Sequence, residues 1–443
     1  MNTSMWGEIF KKKQFRYSIL LMMFYAGFVL AMDSGKVTSL SAFWSEALKM
    51  QPEQVSQIMA STNIGMIPML FLGGVLADWL GGKKVVFWSV LLGSIISGLM
   101  ALVKSYDEMY FRNVLFGLCY GAVTPGAMRL IAQWFPAKDV TGAAAVYYGG
   151  MLASGLLGTP VAIFIANHFG WQFAFLFVAA VGIPCAIWIL FGATERPENK
   201  KGITEGELKY IQEGRAAAEK VPFKEILKAL SNKNVLIIAL CAAIGTAPTF
   251  LFAWVYYGTM VYAGVNPDVA GVVLPLALGA SAVYGIFHGD VVVKIFKGNL
   301  RLLMAFGGLL AAAFTLLAAF WTSAPWWLWA FFILFFGALT NSFLNSVAPS
   351  YYVGAVGPKV VGSLVGVNSI IQTTIGWFLT NYSGQWLNTE ATGLAVVKPV
   401  YIIAACVYLI PVVLVWFAKD VNVLKLSQAA GEAEAATPAV PSH

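Results

Sequence analysis

Charged residues are scarce in this chain, and histidine and cysteine are scarcer still. Only 11% of the 443 residues are Asp, Glu, Lys or Arg, whereas 59% are hydrophobic. A soluble domain carries about 25% charged residues, so this composition excludes a soluble globular protein and predicts an all-α membrane protein. The three histidines form no cluster with the four cysteines, all of which lie in apolar runs. We therefore predict no metal site, no disulfide and no cofactor.

Twelve apolar runs are long enough to cross a bilayer, which takes about 20 residues. No A-x-A-like cleavage site follows the lysines at 11–13, so we expect the first run to be retained as a membrane span. The predicted spans are 18–40, 55–77, 84–103, 109–134, 141–166, 171–193, 234–262, 268–292, 300–322, 325–350, 358–385 and 396–418.

A polar stretch divides these spans into two sets of six. We predict a cytoplasmic N-terminus at 1–17, a six-helix bundle at 18–193, a linker at 194–233, a second six-helix bundle at 234–418, and a disordered tail at 419–443. Within the linker, Thr204 and Glu207 form a capping-box pattern that predicts a short, solvated amphipathic helix running through Leu208 and Ile211.

Lysine and arginine predict the orientation of the spans. If the N-terminus is cytoplasmic, 22 of the 28 basic residues lie on the cytoplasmic side and three on the other side. This asymmetry follows the positive-inside rule. We therefore expect a protein of the bacterial inner membrane with both termini on the cytoplasmic side. The net charge of +7 then reflects topology and does not indicate a nucleic-acid partner.

Asp33 and Lys36 place opposite charges inside the first predicted span. A charge at the centre of a membrane helix costs about 2.5–3.5 kcal/mol on insertion scales, so such residues are seldom without a function. Residues three apart share one helix face, so the two side chains can neutralise each other, or a substrate can take one partner. We predict that Asp33 carries a coupling proton and that Lys36 binds an anion. A permanent structural pair, or a Lys36 that snorkels to the nearby surface, are the alternatives.

The two halves of the chain share a pattern around the second and eighth spans. A proline followed by an acid precedes each span, at Pro52-Glu53 and Pro267-Asp268. An acidic residue lies at the end of each span, and basic residues follow it. The acids are Asp78 and Asp290, and the bases after them are Lys83 and Lys84 in the first half and Lys294 and Lys297 in the second. Such repeats predict pseudo-symmetric halves, as in many secondary transporters.

The stretch Gly73-Gly-Val-Leu-Ala-Asp78-Trp-Leu-Gly-Gly-Lys83-Lys84 resembles the loop signature of the major facilitator superfamily. That resemblance implies twelve helices in two six-helix halves. A narrower resemblance, to the anion:cation symporter family of sugar-acid permeases and sialin-type carriers, rests on four further stretches. They are Pro125-Gly-Ala-Met-Arg129-Leu-Ile-Ala-Gln-Trp-Phe-Pro136, Gly170-Trp-Gln-Phe-Ala-Phe, Glu195-Arg-Pro-Glu, and Ile203-Thr-Glu-Gly-Glu-Leu-Lys-Tyr-Ile.

The chain departs from that family at charged positions. Members often read Asp-Arg in span 1, whereas Ser34 follows Asp33 here. In span 4, Asn113 and Tyr120 stand where the family commonly has an Arg and a Glu implicated in proton coupling. The substrate and coupling rules of the sugar-acid carriers therefore cannot simply be transferred.

The resemblance, together with the position of each residue in its span, predicts which residues bind substrate and which act as gates. Spans 1, 4, 7 and 10 would line the cavity, with span 11 contributing. The predicted substrate-binding residues are Lys36, Asn113, Tyr120, Tyr256, Tyr257, Asn341, Asn345, Asn368 and Gln372; the predicted gating residues are Asp78, Lys83, Lys84, Arg129 and Asp290. Hydrogen bonding between helices uses the same residue types and is the alternative for each polar residue.

Together these features predict a transporter rather than an enzyme. We expect a monomer that moves a small organic anion, of the carboxylate or sulfonate class, by alternating access and inward proton symport. The alternatives are a carrier or exporter of a zwitterion or cation with Asp33 as counter-ion, and an anion exchanger or uniporter. A membrane enzyme would need a nucleophile or histidine motif, and a sensor on the same fold would bind without transporting.

Overall fold

The structure is a computed structural model that describes residues 14–212, 223–251, 255, 265, 269, 295–321, 325, 327–328, 348–356, 360–388, 390–419 and 422. Regular structure within these ranges is helical. Nine of the described helices are long and apolar enough to cross a membrane. The prediction of an all-α membrane protein is confirmed. Predicted span 8 and most of predicted span 10 lie outside the described residues.

The six helices of the first half match the first six predicted spans. Their bounds are α1 Phe15–Ser39, α2 Pro52–Leu80, α3 Gly82–Met100, α4 Tyr106–Trp134, α5 Ala137–Phe169 and α6 Trp171–Gly192. Several helices extend beyond the apolar run by up to a turn, because helical hydrogen bonding continues where polar residues take over. A short helix, Ser41–Ala47, follows α1.

The described helices up to Gln212 form one compact unit, and those from Phe223 onward form a second. In the first unit, α2 packs against α4, α1 packs against α5 and α6, and α3 packs against α4 and α6. Their shared core contains Met23, Val86, Leu130, Tyr147 and Ala186, all fully buried. The first unit is therefore a closed bundle with an apolar interior into which α1 places its charges.

Two glycines allow α2 and α4 to approach closely. A Cβ at Gly65 would overlap the carbonyl oxygen of Val114, and a Cβ at Gly117 would overlap the carbonyl oxygen of Thr62. Only residues without a side chain fit there, as at many contacts between membrane helices. The two backbones are in direct contact along this seam.

The second unit contains α7 Lys233–Thr246, α8 Leu300–Phe320, α9 Val361–Ser383 and α10 Lys398–Leu414, with short helices at Phe223–Leu230 and Ala348–Val356. Helix α10 packs against α7 and α8, and α7 packs against α9. These four helices correspond to predicted spans 7, 9, 11 and 12. Apart from Lys419 and Asn422, the tail predicted to be disordered lies outside the described residues.

The linker helix Glu205–Gln212 differs from its prediction as a solvated helix. The Thr204 hydroxyl accepts a hydrogen bond from the backbone N–H of Glu207 at 3.3 Å, as a capping box requires. However, Glu207 and Ile211 are buried. The Glu207 carboxylate accepts a hydrogen bond from the backbone N–H of Arg16 at 3.0 Å, and the Tyr210 hydroxyl donates to Asp139 at 2.7 Å. The helix is part of the first unit and packs on the end where α1 begins.

Candidate functional site

Asp33 and Lys36 form an ion pair inside α1. The Lys36 ammonium donates to the Asp33 carboxylate and, at 3.1 Å, to the backbone carbonyl of Asp33. Asp33 is 2% exposed and Lys36 is 1% exposed. The lysine therefore does not reach the surface, which excludes the snorkelling alternative in this conformation.

Two aromatic rings from other helices complete the surroundings of Lys36. Its Nζ lies 5.1 Å from the ring centroid of Phe116 on α4 and 5.1 Å from that of Phe175 on α6. Both distances are within the range of a cation–π contact. Within the protein, one carboxylate and two ring faces surround the ammonium charge.

A small cavity lies on the other side of Asp33, between α1, α3 and α4. It offers about 10 Å³ to the centre of a water molecule, and it is lined by Val29, Leu30, Asp33, Ser89, Val90, Gly93, Phe116, Tyr120 and Val123. Asp33 lines this cavity but Lys36 does not. The carboxylate is the member of the pair that a small polar molecule can approach.

The two uncharged residues that replace the family's charged pair in α4 have different surroundings. The Tyr120 hydroxyl lies within hydrogen-bonding reach of the Ser34 side chain, next to Asp33, and its ring is 5.8 Å from that of Phe116. Asn113 is fully buried and donates to the Ile58 carbonyl at 2.6 Å and to the Ser61 hydroxyl at 3.0 Å. Tyr120 belongs to the Asp33 site, whereas the Asn113 amide joins α4 to α2.

The predicted gating residues Asp78 and Arg129 meet at the opposite end of the bundle from Asn113. The Arg129 guanidinium lies 3.4 Å from the Asp78 carboxylate, and the two side chains are 33% and 42% exposed, respectively. This ion pair links the last turn of α2 to the last turns of α4. It brings together two residues that the sequence placed 51 positions apart.

Glu195 completes this region and was not among the predicted site residues. Its carboxylate accepts hydrogen bonds from the backbone N–H groups of Gly82 at 2.9 Å and Lys83 at 2.8 Å. These are free donors of the first turn of α3, and a negative charge there is stabilised by the helix dipole. Lys83 thus contributes through its backbone, while the Lys84 side chain is exposed.

The remaining predicted residues lie in the second half of the chain. Asn368 is buried and Gln372 is half-buried on α9, four residues apart and so on one face of the helix. Tyr256, Tyr257, Asn341, Asn345 and Asp290 lie outside the described residues. The geometry of the site is therefore described for the first unit.

Comparison with known proteins agrees with this architecture. The family model described as Major Facilitator Superfamily matches residues 19–381. The hexuronate transporter of Bacillus subtilis is 26% identical over 404 residues, which cover 85% of this chain and 92% of that protein. A protein of Escherichia coli K12 described as "Probable galactarate/D-glucarate transporter" is 24% identical, covering 82% of this chain and 88% of its own length.

The fold is shared with solved transporter structures. The crystal structure of a bacterial homologue of the human lysosomal transporter Spinster, in an inward-facing and occupied conformation, superimposes with a TM-score of 0.70. It is 15% identical, with 94% of this chain and 98% of that chain covered. A buried charge pair within a membrane helix marks a candidate functional site. The chain belongs to the major facilitator superfamily, and it is a membrane transporter related to carriers of sugar acids and other anions.

Proposed function

We propose that this transporter carries a small organic anion, of the carboxylate or sulfonate class, together with a proton into the cell. It would act by alternating access as a monomer in a bacterial inner membrane, with both termini cytoplasmic. The observation that carries the proposal is the buried Asp33–Lys36 ion pair. The names of the relatives, a hexuronate transporter and a galactarate/D-glucarate transporter, make hexuronates and aldarates the first substrates to test.

The Asp33–Lys36 pair would couple binding of the proton to binding of the organic anion through charge balance. When Asp33 is ionised, it neutralises Lys36, and the lysine has no charge left for an anion. When Asp33 takes up a proton, Lys36 becomes an unpaired buried cation, a situation that costs about 3–5 kcal/mol. An organic anion relieves this cost by replacing the lost carboxylate. Proton binding and anion binding therefore favour each other.

The flexible stem of Lys36 allows this exchange of partners. In the observed conformation the ammonium is enclosed by Asp33, Phe116 and Phe175. A lysine presents a single charge on a four-carbon stem with several rotatable bonds, so loss of the carboxylate partner frees the ammonium to turn toward an anion. Loss of the proton from Asp33 re-forms the pair and displaces the anion.

Asp33→Asn is the direct test of proton coupling. In proteoliposomes, the variant should lose accumulation of labelled D-glucuronate or galactarate driven by a pH gradient, because the amide cannot carry the proton. Counterflow of the same compound, which needs no net proton movement, should persist. Asp107→Asn, at an exposed position in the first turn of α4, serves as a matched control. Unchanged accumulation in Asp33→Asn would refute the coupling role.

A second candidate function is the transport of a zwitterion or cation with Asp33 as its counter-ion. It is favoured by the observation that Asp33, and not Lys36, lines the cavity. A screen of amines and amino acids by thermal shift separates the two proposals, since a bound ligand raises apparent stability by mass action. Stabilisation by amines that Asp33→Asn abolishes would favour this second candidate.

A further inference from the structure

The cavity beside Asp33 has the size of a single water molecule. A site needs roughly 10–15 Å³ of space for the centre of a water, and two to four polar partners, before it holds one. The cavity provides about 10 Å³. All of its lining residues belong to three helices of the first unit.

Three of the nine residues that line the cavity carry polar side chains, one from each helix. They are Asp33 on α1, Ser89 on α3 and Tyr120 on α4, and the other six lining residues are apolar or glycine. A carboxylate accepts hydrogen bonds, whereas each hydroxyl can donate or accept. The three groups therefore offer a water the mixture of donors and acceptors that it needs.

Ser89 differs from other serines in these helices. Ser39 and Ser61 donate to a carbonyl of the preceding turn, whereas the Ser89 hydroxyl makes no such hydrogen bond among the described residues. The Ser89 hydroxyl is therefore available to a polar molecule in the cavity.

We infer that this cavity binds one water molecule, held by Asp33, Ser89 and Tyr120, through which the proton reaches and leaves Asp33. The inference rests on the proposed proton coupling. In the forward step the water, having received a proton from the aqueous side, transfers one proton to the Asp33 carboxylate and is left neutral. The reverse step returns the proton to the water. The titratable groups at this site are Lys36, which pairs with Asp33 on its own helix, and Tyr120 on α4, which lines the cavity; the residues of α3 that line the cavity add a hydroxyl and no charge.

Gly93→Ala tests the site by filling it without removing a polar group. The added methyl carbon would lie 3.6 Å from the Cβ of Cys119 and 3.8 Å from a ring carbon of Phe116, which are ordinary contact distances. Alanine also favours a helix over glycine, so folding should be preserved. Gly142→Ala, at an exposed helical position of α5 with nothing within 4 Å of the new methyl, is the matched control. Ser89→Ala removes a polar partner without filling the cavity.

Transport assays give the functional readout. Initial rates of D-glucuronate uptake driven by a pH gradient should fall roughly tenfold or more in Gly93→Ala, since positioned proton transfer contributes 10²–10⁴-fold in enzymes. Ser89→Ala should show a smaller loss, and Gly142→Ala none. Counterflow should stay normal in all three variants, which a general packing defect would not allow.

The outcomes separate this inference from the proposed function. If Asp33→Asn abolishes accumulation while Gly93→Ala does not, the proton relay through water is refuted and coupling by Asp33 stands. If Asp33→Asn leaves accumulation unchanged, both the coupling and the relay are refuted. A structure at a resolution that shows ordered waters tests binding directly: wild type should show one water between Asp33 and Ser89 that is missing in Gly93→Ala. A dry wild-type cavity would overturn the site.

Discussion

At the scale of single residues, the spacing of Asp33 and Lys36 decides most of the chemistry. They are three positions apart, so one helix face brings the ammonium onto the carboxylate without help from the rest of the fold. Burial then makes the pair mutually dependent, since removing one partner leaves the other as an uncompensated charge. Each residue is therefore more costly to lose alone than together with its partner.

A double-mutant cycle measures this dependence. Lys36→Met and Asp33→Asn should each lower the apparent melting temperature of the purified protein, because each leaves one buried charge. The double variant should recover most of the loss, with a coupling energy on the order of 1–3 kcal/mol. Thermal unfolding of the four proteins in the same detergent gives the values. Simple additivity of the two losses would show that the pair does not act as a unit.

The sequence predicts the Asp33–Lys36 contact but not what surrounds it. Spacing within one helix is readable from the chain, because α-helix geometry is fixed. Phe116, Phe175 and Ser89 reach the site from three other helices, and their positions depend on how those helices pack. A phenylalanine in an apolar run carries no sign that its ring faces a cation. The residues of other helices that surround the pair could therefore be identified only from the folded structure.

At the scale of helices, the Asp78–Arg129 pair connects the ends of α2 and α4. Both side chains are partly exposed, so the pair contributes at most about 1 kcal/mol to stability. We propose that its effect lies instead in the balance between transport conformations, where about 1 kcal/mol changes populations roughly fivefold. The sequence placed both residues at one end of the bundle but did not predict that they would pair.

Asp78→Asn should therefore slow transport with little loss of stability. We expect initial uptake rates to fall roughly fivefold, by the population argument above, while the apparent melting temperature stays close to that of wild type. Exchanging the charges, in the double variant Asp78→Arg with Arg129→Asp, should restore part of the rate. Glu195→Gln provides a comparison, because it weakens the neighbouring cap of α3 without touching this ion pair. A large drop in melting temperature in Asp78→Asn would assign the residue to folding instead.

The linker helix shows where element-level prediction stops. Its start at Thr204 and its apolar positions, Leu208 and Ile211, follow from capping and periodicity. The surface on which the helix packs cannot be predicted in this way. The residues that the helix contacts, Arg16 and Asp139, lie far away in the sequence, and nothing in the sequence distinguishes them from other charged residues outside the predicted spans. An amphipathic pattern identifies a face to be covered but not the surface that covers it.

At the scale of the whole molecule, the span pattern and the superfamily could be predicted from the sequence. A membrane span needs a run of apolar residues of a fixed length, and this requirement is local. The identity of the substrate cannot be predicted from any one local stretch of sequence. It depends on which side chains from different helices converge, and several of the predicted ones lie outside the described residues.

Proton coupling also makes a prediction for the molecule as a whole. If the anion binds only when Asp33 carries a proton, the apparent Kd for D-glucuronate should rise with pH, by up to about tenfold per pH unit once Asp33 is ionised in the free protein. Binding to detergent-solubilised protein at several pH values measures the slope. In Asp33→Asn the Kd should not vary with pH in this way.

The sign of that slope separates the two candidate functions. A cation held by the Asp33 carboxylate competes with the proton, so its apparent Kd should fall as pH rises. A Kd for the anion that is independent of pH in wild type would instead favour exchange or uniport.

The local nature of the charge pair has a consequence for how the protein is made. Helix α1 is synthesised before α4 and α6, which carry Phe116 and Phe175. Because Asp33 and Lys36 are partners within one helix, their charges cancel as soon as that helix forms. Helix α1 can therefore insert into the lipid bilayer before α4 and α6 have been synthesised.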